Sequence, residues 1–74
     1  MNKPQVVHSM HNDTVDRCVD ILSHIDGRYS YKEFRRDPED QGAWYPVGAE
    51  STAYANPVAA ADAARRAVTW LSRM

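Results

Sequence analysis

Over residues 57–74 the apolar positions recur with the period of a helix. At about 100° per residue, Ala60, Ala64, Ala67, Leu71 and Met74 form one stripe, flanked by Ala63 and Trp70 on one side and Val68 on the other. Asp62, Arg65, Arg66, Thr69 and Arg73 fall opposite. Asn56 suits an N-cap, and Pro57 suits the first turn, where its fixed φ is already helical and its missing N–H is not needed. The spacing therefore predicts a single helix to the end of the chain. A stripe made mostly of alanine lets its axis lie close to whatever covers it.

A second amphipathic pattern spans residues 12–25. Val15, Cys18, Val19, Ile21, Leu22 and Ile25 share one helical face, and Asp13, Asp16, Arg17, Asp20 and His24 take the other. Asn12 or Asp13 can cap such a helix, and Asp26-Gly27 can stop it. From Arg28 the period changes. Arg28 to Arg36 is rich in aromatics and alternates imperfectly, which predicts a strand, and Asp37-Pro38-Glu39-Asp40-Gln41-Gly42 predicts a turn. Ala43 to Val47 reads as the returning strand, bulged or at an edge because Pro46 cannot donate to a ladder. Ser51 to Tyr54 is a third strand or the lead into the last helix. Residues 1–11, with Gln5-Val6-Val7-His8-Ser9-Met10, form a flexible arm or a short edge strand, and residues 12–74 make one domain.

The expected fold is a two-layer α+β sandwich in the order helix, two or three antiparallel strands, helix, with both helices on one face of the sheet. The order αβββα resembles that of double-stranded-RNA-binding domains, which are also similar in length. Those domains carry a lysine cluster at the start of the second helix. Here that place holds Pro57-Val58-Ala59-Ala60-Ala61-Asp62, so no residue is carried over.

Composition narrows the function. A 74-residue chain with 43% hydrophobic and 26% charged residues is an ordinary small globular domain with a small core. No apolar run approaches a membrane span, the first five residues lack signal-peptide regions, and Cys18 is the only cysteine, so a cytoplasmic setting is expected. Net charge is −1, with nine acids against five bases in residues 13–50 and three arginines against Asp62 in residues 51–74. Arginine outnumbers lysine seven to two and alanine appears ten times, the bias of a GC-rich bacterial or phage genome.

The chemistry that these residues can carry is that of binding. If the hairpin pairs Arg36 with Ala43, then Tyr29, Tyr31 and Trp44 fall on one sheet face and Phe34, Tyr45 and Val47 on the other. A two-layer sandwich covers one of these faces only. The expected anchors are Tyr29, Tyr31, Trp44, Arg35 and Arg36, because aromatic and arginine side chains dominate binding hot spots. Asp16 and Asp20, on the polar face of the first helix, are a second set that could attract a basic partner. His8, His11, Cys18 and His24 raise zinc, but His24 would lie about 120° around the helix from Cys18, and no CxxC or HxxxH pair is present. No metal or cofactor is expected. On an apolar helical face Cys18 is an inert thiol, and no phosphate loop, nucleophile elbow or carboxylate pair appears, so the expectation is not an enzyme.

The function expected is a small non-catalytic protein-binding module, specifically a phage- or mobile-element-encoded accessory or inhibitor that docks on a host protein complex. Anti-CRISPR proteins and other phage-encoded inhibitors are similar to it in size and charge. The alternatives are a nucleic-acid-binding module using the aromatic and arginine sheet face or Arg65, Arg66 and Arg73 of the last helix, and a structural homodimer. Asp37, Glu33, Glu39 and Asp40 sit close to the sheet arginines and would repel phosphate, which sets the nucleic-acid reading below the first.

Overall fold

The computed structural model describes residues 3–73. Four strands, β1 (Gln5–His11), β2 (Arg17–Ser23), β3 (Tyr29–Asp37) and β4 (Ala43–Pro46), form one antiparallel sheet in the order β1-β2-β3-β4. Two helices follow, α1 (Pro57–Ala67) and α2 (Thr69–Ser72). The fold is α+β, as composition and pattern indicate, but its first half is different. No helix spans residues 12–25. In its place β2 pairs along its whole length with β3, from Arg17↔Arg35 to Ser23↔Tyr29, and on its other side with β1. The strand order consequently departs from the αβββα of double-stranded-RNA-binding domains.

The capping signal at Asn12 has a real counterpart. Its side-chain oxygen accepts from the backbone N–H groups of Asp16 and Arg17 at 3.0 and 3.1 Å, which closes the β1–β2 turn instead of opening a helix. Val15 within that turn has φ 54, a left-handed value that no α-helix contains. Gly27, at φ 85, sits in the β2–β3 turn, where the N–H of His24 donates to Arg28 O at 2.9 Å. It reverses a hairpin and ends no helix.

The last helix begins where the sequence places it. Asn56 Oδ1 accepts from the N–H of Ala59 at 2.8 Å, with Pro57 in the first turn. It does not run through, because Val68 is extended (φ −94, ψ 112) and separates α1 from α2. Ala67 is exposed, while Ala60, Ala61, Ala63, Ala64, Val68 and Leu71 are buried. Ala60, Ala61, Ala64, Val68 and Leu71 meet Val19 and Ile21 of β2 in one core, with Met10, Tyr29, Tyr31, Tyr54 and Trp70 packed around it. Met74, expected on the buried stripe, lies outside the described residues. Trp70 Nε1 donates to Glu33 at 3.0 Å and ties α2 to β3.

The β3–β4 hairpin is in a different register from the expected one. Arg36 pairs with Trp44, and Asp37 pairs with Ala43. The loop accounts for the shift: a 3-10 turn at Pro38–Asp40, seated by the Glu39 N–H on Asp37 Oδ1 at 2.9 Å, is followed by Gln41 (φ 56) and Gly42 (φ 77), both left-handed. Beyond β4 the chain continues alongside β3. Val47 and Ser51 donate to Glu33 O and Tyr31 O at 2.8 and 2.9 Å, and Tyr54 forms a bridge with Tyr29. Residues 51–54 are thus the lead into α1 with a single bridge.

Candidate functional site

Directly opposed residues of an antiparallel pair share a face, so the register sorts every sheet side chain. Val19 and Ile21 of β2, with Tyr29, Tyr31 and Glu33 of β3, face α1 and α2. Cys18, Asp20 and Leu22, with Ser30, Lys32, Phe34 and Arg36, face the other way, where no helix lies. Ser9 and His11 join this second face from β1, and Trp44 joins it from β4. This second face is open around Phe34 and Trp44 and closed around Leu22 and Ser30, which are 8% and 1% exposed.

At one end of the uncovered face lies an open groove of about 400 Å³, lined by Ser9, His11, Val15, Cys18, Asp20, Phe34 and Trp44. Trp44 is 40% exposed and Val15 38%. Lys32 reaches along its own strand, with Nζ 5.8 Å from the Phe34 ring centroid, so its charge lies beside the groove's aromatic ring. Asp20 accepts from Ser9 Oγ at 2.7 Å. Asp16 lines a neighbouring pocket with Val15 and Arg36, held by Asn12 Nδ2 and by Thr14 Oγ1 at 2.9 Å.

Of the expected anchors, only part comes together. Trp44, Arg36 and Asp20 share the open side, and Asp16 is beside it in the β1–β2 turn. Tyr29 and Tyr31 are on the helix side, partly buried, and Tyr31 stacks on Tyr54 with ring centroids 6.4 Å apart. Arg35 lies on that side too, its guanidinium carbon 5.7 Å from the Tyr45 ring centroid. Phe34, Val15, Cys18, His11 and Ser9 are the groove residues that sequence reasoning did not select. A pairing shifted by one residue moves Trp44 from the company of Tyr29 and Tyr31 to that of Phe34.

The groove carries little reactive chemistry. Burial pushes the Cys18 thiol up to about 11, with Asp20 and Glu33 adding to the effect, so it stays protonated near neutrality and is a poor nucleophile. Asp16 is held below the usual carboxylate range by the hydrogen bonds from Asn12 and Thr14. Far along the same face, Ser30 is 1% exposed, and its hydroxyl meets His24 Nε2 at 2.8 Å and donates to Glu50 at 2.7 Å. Both Ser30 and His24 converge on the same Glu50 oxygen, with His24 Nε2 3.2 Å away. The serine is closed to solvent, and the cluster pins residue 50 to the sheet. Among the described residues no three histidine, cysteine, aspartate or glutamate side chains gather as a metal-holding group, and no helix is long and apolar enough to cross a membrane.

No protein-family model, curated protein or solved structure matches the chain.

Proposed function

We propose that the chain is a small non-catalytic protein-binding module that meets its partner through the uncovered face of the sheet. One observation carries this reading: Phe34, Trp44 and Val15 line a single open groove with polar side chains around it. Aromatic side chains left accessible at the centre of a patch and rimmed by polar groups are what hot spots are made of. In its specific form the reading is a cytoplasmic accessory or inhibitor encoded by a phage or mobile element and docking on a host protein complex. Its support is small size, the arginine and alanine bias, and an acidic middle. Asp20 lining the groove and Asp16 in the pocket beside it disfavour a phosphate backbone, and nucleic acid is the second reading of the partner.

The test is capture from host lysate with and without nuclease, followed by binding measurements on the captured protein. Trp44→Ala is expected to weaken that binding at least tenfold, roughly 2 kcal/mol for a central aromatic, with the far-UV circular dichroism unchanged. Unchanged affinity would remove the groove from the interface. Partners that vanish with nuclease would transfer the function to nucleic acid.

A further inference from the structure

The sheet has two edges, and they are treated differently. On the β4 side the strand is four residues long, contains Pro46 and gives way to the segment that closes on β3 through Val47, Ser51 and Tyr54. Shortness and proline are ordinary means of blunting an edge. On the other side β1 is seven residues long, and among the described residues nothing pairs with its outer edge. Every second residue of an edge strand turns its N–H and C=O outward. Lys3 and Pro4 stand before it, but Gln5-Val6-Val7-His8-Ser9-Met10-His11 holds no lysine, arginine, carboxylate or proline. Val6 and Val7 are 54% and 50% exposed. Helix α1 packs on β2 and β3, and between it and β1 runs a mostly apolar groove of about 260 Å³ that includes His8, Val58 and Ala61, with Val58 67% exposed. One protective device is present, a bulge between Val6 and His8, and it leaves His8 to His11 in regular pairing.

We propose that a second copy of this chain occupies the β1 edge, the two β1 strands pairing antiparallel about a two-fold axis and joining two four-stranded sheets into one of eight. An antiparallel strand pair is self-complementary under that symmetry, as a closed dimer requires. Whatever the register within the seven residues, only Gln, Val, His, Ser and Met oppose one another, so no fixed like charges meet across the axis. A strand this neutral offers nothing to select a charged partner. Because opposed residues share a face, both α1 helices come to lie on the same side, and the apolar grooves holding Val58 face each other across the new junction. A chain with so small a core also gains from burying its exposed valines. The uncovered faces with Trp44 then continue from one copy into the other. The inference does not depend on what those faces bind.

The test is the mass of the full chain in solution from about 1 µM to about 1 mM, by sedimentation equilibrium, with amide hydrogen exchange at both ends of the range. The expected result is a mass that rises from 8.4 kDa toward twice that value, with β1 amides exchanging more slowly at high concentration. Val7→Lys should raise the dissociation constant at least tenfold, while Trp44→Ala should leave it unchanged. A monomeric mass throughout overturns the proposal. So does a dimer whose β1 amides exchange as fast as the monomer's, or one that survives Val7→Lys and is lost in Trp44→Ala. The exchange measurement needs no variant, so a Val7→Lys chain that does not fold leaves the test intact.

Discussion

Val15 is the residue whose conformation is hardest to justify by folding alone. A β-branched side chain at φ 54 costs on the order of 1–2 kcal/mol, and here that side chain stays 38% exposed and lines the open groove. The surrounding turn holds it there: Asn12 accepts from two backbone N–H groups, and Thr14 and Asn12 fix Asp16. Asparagine tolerates the left-handed region, so Val15→Asn is expected to stabilise the fold by about 1 kcal/mol, read as a higher urea midpoint with an unchanged slope. The same variant should bind the partner less well, a combination that a purely structural role for Val15 would not produce. Asp16 supplies the pH dependence of this turn. Its folded-state pKa is lowered by the hydrogen bonds from Asn12 and Thr14, so its contribution is complete above the unfolded value of about 4 and is lost as pH falls through the lowered folded value. Asp16→Asn should therefore be less stable than the natural chain at neutral pH. The difference should narrow in acid, which urea titrations from pH 7 downward would reveal.

Among the elements, α1 is the one that local chemistry specifies most fully. Asn56 and Pro57 mark its start because a cap needs only its own neighbours, and Ala60 and Ala64, both at 0% exposure, are the contacts that let the helix lie close on β2 and β3. Ala64→Leu must push that helix off the sheet, and a loss of about 1–3 kcal/mol is expected from thermal or urea unfolding. The break at Val68 has no comparable signal, since its extended conformation follows from where Leu71 and Trp70 must reach, against the core and Glu33. β2 is where the pattern misleads. Val19 and Ile21 face the helices while Leu22 is buried on the opposite face at 8% exposure, so the strand carries apolar residues on both faces, interrupted by Asp20, and that spacing also satisfies a helical period. The polar residues on either side do not resolve the ambiguity. Asn12 accepts backbone N–H groups in a tight turn as readily as at a helix start, and Gly27 takes a positive φ in a hairpin as readily as at a helix end.

For the molecule as a whole, the α+β class was legible from size and amphipathicity, whereas the side on which Trp44 falls depended on a single residue of β3–β4 register, in a loop that holds the left-handed Gln41 and Gly42. That face is electrically mixed. Asp20 lies directly across from Lys32, and Asp16 and Arg36 share the surface beside the groove, so the net charge of −1 is not concealing a basic stripe. The arginines that could form one are elsewhere: Arg65 is paired with Asp62 at 3.2 Å, and Arg35 lies over Tyr45 on the helix side. An apolar-centred protein interface and a phosphate-gripping one respond to salt in different ways. Each phosphate contact releases a counterion, and several together weaken binding by roughly 10³-fold or more between about 50 and 200 mM salt. Binding centred on Phe34, Trp44 and Val15 releases none, and screening of Lys32 or Arg36 at the rim affects chiefly the association rate. The affinity for the captured partner is accordingly expected to change by less than about tenfold over that salt range, with any loss residing in the association phase of a surface-binding measurement. A loss of several orders of magnitude would mean that the arginines, and not the groove, hold the ligand.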